Sequence, residues 1–151
     1  MSRIHTYGRR VLARILKFLS RRAIERYRPF VVGVTGSVGK TSTREAVTAV
    51  MRGTRTVRAS AGNFNNEIGF PLAILGDWQS TKGILFWLRV IFTGIRQLVV
   101  RKEYPEILVL EYAADKPGDM DYLVRIARPN VSIVTAVGET PVHVEFYENP
   151  E

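Results

Sequence analysis

The feature that most constrains the fold is a glycine-rich turn between an apolar run and a segment with helical spacing. Residues 30–35 read FVVGVT, which is typical of a strand buried in a parallel sheet. Residues 35–42 read TGSVGKTS, and apolar residues then recur at helical spacing over residues 41–51. A strand, a glycine-rich turn and a helix N-terminus together form a phosphate-binding unit. The sequence therefore predicts a parallel sheet with a phosphate-binding turn.

Seven residues of this turn are candidate phosphate or metal ligands: Gly36, Ser37, Val38, Gly39, Lys40, Thr41 and Ser42. The Lys40 ammonium can neutralise the outer phosphates of a nucleotide, and the Thr41 hydroxyl suits a magnesium ion. Val34 replaces the first glycine of the general G-x-x-x-x-G-K-[ST] pattern. The alternative interpretation is a strand-to-helix turn with an exposed lysine, but the flanking strand and helix favour phosphate binding.

Further strands and helices alternate along the chain. Apolar runs predict strands at residues 57–59, 107–111 and 131–137, and helical spacing predicts short helices near residues 71–75 and 120–127. Such alternation implies right-handed βαβ units. The predicted fold class is therefore α/β, a three-layer αβα arrangement of the P-loop type, with a parallel sheet that we expect to be truncated.

Polar residues follow the predicted strands. Glu111 ends one strand, so its carboxylate is a candidate magnesium ligand at the edge where parallel strands end, and His143 follows another strand. The alternatives are a Glu111 carboxylate paired with a neighbouring arginine or lysine, and a hydrogen-bonded structural histidine. Asn65 and Asn66 lie in the segment GNFNNEIG, a composition that is also ordinary turn chemistry.

The positive charge is concentrated at the N-terminus. The chain has 151 residues with 22 Lys+Arg and 14 Asp+Glu, and residues 1–28 carry nine basic side chains and one acidic one. Apolar residues recur there at helical spacing up to Pro29, so we expect a basic amphipathic helix. Three uses are open: a helix on a membrane surface, a nucleic-acid arm, or a helix packed on the domain. Nucleic acid is the least favoured partner, since no aromatic platform accompanies the charge.

A second unusual segment covers residues 80–101, which contain no acidic residue. Lys82, Arg89 and Arg96 lie seven residues apart and therefore share one stripe of a helix. The apolar part, residues 84–100, is shorter than the roughly 20 apolar residues of a membrane span and contains two arginines. We expect a helix that packs against the N-terminal helix or lies on a membrane surface.

Four segments in chain order resemble the central ATPase domain of the Mur ligase family. They are TGSVGKTS, GNFNNEIGFP, VLEYAADKPGD and VTAVGETPVHVEFY, and the resemblance covers about residues 30–148. The second and third segments are most similar to the branch that adds D-alanyl-D-alanine to UDP-N-acetylmuramoyl-tripeptide. The T-G-x-x-G-K-T form of the turn is this family's own variant, which accounts for Val34.

The resemblance implies an ATP- and Mg2+-dependent ligase of peptidoglycan precursor synthesis in the cytoplasm. Such enzymes phosphorylate a UDP-muramoyl-peptide carboxylate and join the acyl group to an amine such as D-Ala-D-Ala. The resemblance places the ATP phosphates on residues 36–42, with Lys40 as the catalytic residue at the γ-phosphate. The other implied ligands are Thr41, Glu111 and His143 for magnesium, and Asn65 and Asn66 for the peptide substrate.

The expected organisation is a basic helical arm over residues 1–28, followed by the N-terminal part of a central domain over residues 29–151. A second catalytic lysine of the family, distinct from Lys40, and the family's C-terminal domain would lie beyond this point, so we expect a fragment. Residues 77–104 insert a hydrophobic helix, and residues 140–142 lengthen the loop before His143, which are departures from the family pattern. Two basic helices in a cytoplasmic peptidoglycan enzyme are compatible with peripheral contact with the anionic inner membrane surface. The alternative is that the two helices pack on each other and cover a face of the sheet.

Two other functions stay open on the sequence. One is a non-catalytic nucleotide-binding or membrane-associated module. The other is a different Mur-type ligase, of the folylpolyglutamate, cyanophycin or lipid II amidating type, since these share the phosphate-binding turn.

Overall fold

The computed structural model describes residues 2–61, 64–78, 83–100 and 103–137. These ranges contain five helices and four strands. In chain order they are α1 (Ser2–Tyr27), β1 (Phe30–Thr35), α2 (Lys40–Arg52), β2 (Val57–Ala59), α3 (Gly69–Leu75), α4 (Ile84–Val99), β3 (Ile107–Glu111), α5 (Asp119–Val124) and β4 (Val131–Val134).

The predicted α/β class is confirmed, and β1, β2 and β3 have the predicted bounds. β4 is shorter than predicted, since it ends at Val134 and not at residue 137. It ends there because Val134 is paired with Thr35, the last residue of its partner strand β1. The prediction for α5 is also too long at its C-terminus. The N–H of Ile126 bonds to the Leu123 carbonyl at 2.9 Å, a three-residue bond that closes the last turn.

All four strands are parallel and lie in the order β2-β3-β1-β4. α2 leads from β1 towards the β2 side, whereas α5 leads from β3 to the β4 side. Connections that diverge in this way leave a crevice at the carboxyl ends of the two strands, where ligands bind in open α/β sheets. Val34 of β1 is paired with Glu111 of β3. The crevice therefore lies between the glycine-rich turn and Glu111.

The strands contribute to two apolar cores because successive side chains point to opposite faces of a sheet. Val32 and Val34 face the core beneath α2. Val31, Leu108 and Leu110 face the larger core, which contains residues of α1, α3, α4 and α5. The sheet thus lies between two helical layers, as predicted for a three-layer αβα fold.

α1 is an integral part of the larger core. Leu16 and Leu19 are 0% and 4% exposed. α4 approaches α1 closely at Gly94, where an added Cβ would lie 3.0 Å from Leu19 Cδ1. The Tyr27 ring stacks on the Tyr104 ring with 4.4 Å between centroids. Of the three uses open for the N-terminal helix, the structure shows packing on the domain.

α4 has one buried and one exposed face. Val90 and Gly94 are buried against the core. Six bulky apolar residues on other faces are exposed: Ile84, Leu85, Leu88, Phe92, Ile95 and Val99. We call these six residues the outer face of α4. Among the helices that the structure describes, none combines the length and the hydropathy that crossing a membrane requires.

Candidate functional site

The backbone of the glycine-rich turn requires glycine at two positions. Gly36 has φ of 132° and Gly39 has φ of 85°, which are left-handed values that favour glycine. A Cβ on Gly36 would also overlap Thr135 Oγ1 and lie 2.9 Å from the Ala136 carbonyl oxygen. Gly39 ends the turn, and α2 begins at the next residue, Lys40. The turn therefore delivers Lys40 to the N-terminus of a helix, one residue earlier than the predicted helix start.

β4 and the residues after it hold the turn in place. The Ser37 N–H donates to the Ala136 carbonyl at 2.6 Å. The Thr135 hydroxyl lies 2.6 Å from the Val38 carbonyl oxygen, to which it donates. Thr135 is a positioning residue that the sequence did not identify, because its contact with Val38 spans 97 positions of the chain.

The Lys40 ammonium folds back over the turn. Its Nζ donates to the Gly36 carbonyl at 2.7 Å and to the Ser37 carbonyl at 3.3 Å. Thr41 and Ser42, which follow, are exposed on the first turn of α2. Hydroxyls, N–H groups and a cationic side chain thus converge at one helix N-terminus, an arrangement that binds phosphate.

The Glu111 carboxylate lies at the same edge of the sheet and is only 4% exposed. The Thr41 hydroxyl donates to Glu111 Oε2 at 3.3 Å, and the Asn65 amide nitrogen donates to Oε1 at 3.4 Å. The structure therefore brings Thr41, Glu111 and Asn65 together from α2, β3 and the loop before α3. Behind them, burial raises the pKa of the Tyr112 phenol, which donates to the Ala127 carbonyl at 2.7 Å.

Arg44 is a member of this cluster that the sequence analysis missed. Its Nη1 lies 3.2 Å from Glu111 Oε2, and its side chain is almost fully buried. Arg44 follows Thr41 by three residues and therefore lies on the same face of α2, a spacing that could have identified it. The alternative interpretation of Glu111, a carboxylate paired with an arginine, thus describes a real contact that coexists with the one to Thr41.

The two asparagines of the GNFNNEIG segment have different surroundings. Asn65 contacts Glu111 as described. Asn66 Oδ1 accepts hydrogen bonds from the N–H groups of Ile68 at 3.2 Å and Gly69 at 2.9 Å. These bonds satisfy amides at the start of α3, which is the turn chemistry that was the alternative interpretation.

The donor set suits magnesium better than a metal that needs several protein ligands. Mg2+ is commonly held by one or two carboxylates together with waters and substrate phosphates. The Glu111 carboxylate and the Thr41 hydroxyl provide such oxygens side by side. The described residues contain no group of three or more His, Cys, Asp or Glu side chains that could hold a metal. The predicted ligand His143 lies outside the described residues.

A parallel αβα sheet with this turn at its carboxyl edge defines the class of P-loop proteins that bind nucleotide phosphates. Residues 34–84 match the family model described as the Mur ligase middle domain. The chain belongs to the Mur ligase family and carries part of that middle domain.

Curated relatives agree with this assignment. A UDP-N-acetylmuramoyl-tripeptide–D-alanyl-D-alanine ligase of Bacillus subtilis is 34% identical over 110 residues, which are 73% of this chain and 19% of that protein. The ligase of the same name from Rickettsia prowazekii is 28% identical over 120 residues, which are 80% of this chain and 21% of that protein. The chain thus spans about a fifth of the length of these relatives.

Solved structures give the same result. The MurF ligase of Thermotoga maritima, determined in complex with ADP, has a TM-score of 0.65 and 33% identity over 91% of this chain and 26% of that chain. A MurF of Acinetobacter baumannii has a TM-score of 0.60 and 25% identity over 83% of this chain and 22% of that chain.

Proposed function

We propose that this chain supplies the ATP-phosphate site of an ATP-dependent amide ligase of peptidoglycan precursor synthesis. The observation that carries the proposal is the contact of Thr41 and Asn65 with the buried Glu111 carboxylate beside the glycine-rich turn. The names of the curated relatives supply the substrates, a UDP-N-acetylmuramoyl-tripeptide and D-alanyl-D-alanine. The ADP complex of a similar structure supports ATP as the phosphoryl donor.

Each residue of the turn has a proposed role. Gly36–Ser42 and the N-terminus of α2 bind the phosphates of ATP through backbone N–H groups other than that of Ser37, which donates to Ala136. The Lys40 ammonium exchanges its contacts with the turn carbonyls for contacts with the γ-phosphate. Thr41 and Glu111 would hold Mg2+, which when bound neutralises charge on the phosphoryl group in transfer. The family resemblance extends the metal role to His143.

The proposed reaction has two transfers. A carboxylate oxygen of the UDP-muramoyl-peptide attacks the γ-phosphorus, the bond to ADP breaks, and an acyl phosphate forms. The amine of D-Ala-D-Ala then attacks the acyl carbon, phosphate leaves, and the amide forms with loss of a proton from nitrogen. Lys40 and the N–H groups of the turn stabilise the negative charge during the first transfer. Asn65, whose amide donates to Glu111, would contact the peptide part of the substrate, as the family resemblance implies.

The proposal also assigns the chain to two parts. Residues 29–151 belong to the middle domain, and residues 1–28 add a helix to its larger core. The chain spans about a fifth of its curated relatives.

The test of this function is amide formation by the full-length protein. We expect ATP, UDP-N-acetylmuramoyl-tripeptide and D-Ala-D-Ala to yield ADP, phosphate and the pentapeptide product in equal amounts, measured by mass spectrometry and phosphate release. Thr41→Val should reduce the rate about 100-fold or more, since one of the two proposed protein ligands of Mg2+ is lost. The control is Thr54→Val, the same substitution at a solvent-exposed position just beyond the other end of α2. No product from these substrates, despite a folded protein, would reject the proposed function.

We further propose that the outer face of α4 contacts an anionic membrane surface. Its six exposed apolar side chains are carried by a helix that has no acidic residue and contains Arg89 and Arg96. An exposed apolar surface with flanking cations fits a lipid surface, where the apolar side chains enter the headgroup boundary. Each cation near an anionic surface adds about 1 kcal/mol to binding.

Vesicle flotation tests this contact without disturbing the core. The full-length protein should bind phosphatidylglycerol-containing vesicles, and binding should weaken with salt. Leu88→Ser combined with Phe92→Ser should abolish it. The control replaces two exposed valines elsewhere, Val50→Ser with Val131→Ser, and should still bind. Equal binding by both double variants, or no binding by the wild-type protein at low salt, would reject the membrane proposal.

A further inference from the structure

The Glu111 side chain is almost fully buried at the end of β3, with 5% of its surface exposed. Its backbone is fixed by the sheet and by Ser60, whose hydroxyl oxygen accepts a hydrogen bond from the Glu111 N–H at 3.2 Å. The carboxylate beyond this fixed backbone can still rotate. Burying a carboxylate is unfavourable unless donors satisfy its oxygens. The orientation of the Glu111 carboxylate is therefore set by the groups that donate to it.

Three side chains donate to this carboxylate. Arg44 Nη1 and the Thr41 hydroxyl both donate to Oε2, at 3.2 and 3.3 Å. The Asn65 amide nitrogen donates to Oε1 at 3.4 Å. An ionised carboxylate has about four acceptor positions, two on each oxygen. Among the described residues, these three contacts fill both positions of Oε2 and leave one position of Oε1 for a further ligand.

Arg44 differs from the other two donors in its burial. Thr41 is exposed and Asn65 is half-buried, so both can exchange their contacts for a bound ligand. The Arg44 side chain is only 6% exposed. A side chain this buried acts on a ligand at the sheet edge through Glu111.

The Arg44 guanidinium is held at a second point. Its Nη2 lies 3.4 Å from Oε1 of Glu45, a carboxylate on the exposed side of α2. The Arg44 carbonyl accepts a hydrogen bond from the buried Thr48 hydroxyl at 2.6 Å. Because the guanidinium is planar, contacts from two of its nitrogens to two carboxylates restrict its orientation. A lysine ammonium would keep the charge but would not reproduce this planar pair of contacts.

We propose that Arg44 is a positioning residue for magnesium binding. It anchors Oε2 of Glu111, so that Oε1 stays available to the metal. The inference rests on the proposed function, which supplies a nucleotide bound with Mg2+. Groups that hold a metal ligand from behind commonly change metal affinity tenfold or more when they are replaced.

Calorimetry tests this role through ADP affinity, measured once with Mg2+ and once with EDTA. The full-length wild-type protein is compared with Arg44→Lys, which keeps the charge, and with Arg44→Met, which removes it. Arg52→Lys is the matched control, because Arg52 is exposed at the other end of the same helix. Circular dichroism checks that each variant is folded, and Arg44→Lys keeps the test usable if Arg44→Met does not fold.

Mg2+ should strengthen ADP binding by the wild-type protein. With Mg2+, Arg44→Lys should bind ADP about fivefold more weakly than wild type, and Arg44→Met about tenfold more weakly. With EDTA, both variants should stay within about twofold of wild type, because the glycine-rich turn is unchanged. The Arg52→Lys control should match wild type in both conditions.

The possible failures are distinguishable. Wild-type affinity of the folded Arg44→Lys protein for ADP with Mg2+ would overturn the inference, since Arg44 would then supply charge alone. Equal weakening with Mg2+ and with EDTA would also overturn it, because Arg44 would then support the turn and not the metal-facing carboxylate. In both cases the proposed function would stand. A wild-type protein that binds no ADP in either condition would reject the proposed function and the inference together.

Discussion

The sheet edge with the glycine-rich turn and the helical layer of α1, α3 and α4 use their side chains in opposite ways. At the edge, Val38 is 72% exposed, and polar groups of the turn face solvent. In the layer, Leu16, Phe70 and Ile74 are fully buried. The edge contributes little buried apolar area, so packing places few constraints on its residues and they can serve in binding. The layer contributes most of the core, so its residues are constrained by packing. Substitutions in the two regions should therefore have separable effects.

The largest effect is expected for Lys40→Ala at the edge. Removing the ammonium from the transferring phosphoryl group should lower the rate of ATP-dependent amide formation about 1,000-fold. The melting temperature should change by no more than about 2 °C, since the Lys40 ammonium donates to two carbonyls of a turn at the surface and is not part of the core. Arg52→Ala at the other end of α2 is the control. A large drop in melting temperature would show that the edge is not separable from the core.

The next effect concerns the helical layer. Leu16→Ala should lower the free energy of unfolding by about 3–4 kcal/mol, because Leu16 is fully buried between α1 and the rest of the core. Its neighbour Ile15, which is 37% exposed, provides the matched control Ile15→Ala, with an expected loss of about 1 kcal/mol. Urea denaturation measures both. The affinity of the folded Leu16→Ala protein for ADP should equal that of wild type. A weakened affinity would show that packing in the helical layer affects binding at the sheet edge.

Arg44 combines properties of the two regions, because its side chain is buried and also contacts Glu111 at the sheet edge. Arg44→Met should cost about 2–3 kcal/mol of unfolding free energy, since it leaves the Glu111 charge without its ion-pair partner. Adding Glu111→Gln should recover part of this loss, which a double-mutant cycle in urea would measure. Strictly additive losses would mean that the 3.2 Å contact contributes no coupling.

The smallest effect is expected on the outer face of α4. Leu88→Ser and Phe92→Ser should each change the free energy of unfolding by less than about 0.5 kcal/mol, because both side chains are mainly exposed. The same urea titrations measure this change. Losses of several kcal/mol would show that these side chains pack within the chain and are not available to a membrane.

Local patterns made the edge predictable and the layer only partly so. The order of strand, glycines, lysine and helix in residues 30–51 is encoded in neighbouring residues, and the structure has it. The apolar spacing of α1 predicted a buried face but did not identify Gly94 of α4 as its neighbour, because that contact joins distant parts of the chain. Thr135 escaped the sequence analysis for the same reason.

Two side chains show how much of a residue's role can be predicted from its type alone. Asn66 is a candidate substrate ligand by resemblance, and its side-chain oxygen accepts a hydrogen bond from the N–H of Gly69 at the start of α3. Glu111 was equally compatible with a metal site and with an arginine partner, and the structure gives it contacts with Thr41 and Arg44 together. Residue type and position limited the possible roles of these two side chains. Their actual contacts could be identified only from the structure.

The central claim is that the glycine-rich turn binds nucleotide phosphates, and titration with ADP in the presence of Mg2+ tests it most directly. Calorimetry should show that the wild-type protein binds ADP, with affinity for adenosine about 100-fold weaker, since the phosphates supply most of the contacts. Lys40→Ala should weaken ADP binding about tenfold or more and leave adenosine binding unchanged. Equal affinities of wild type and Lys40→Ala for ADP, or equal affinities of wild type for ADP and adenosine, would contradict the claim.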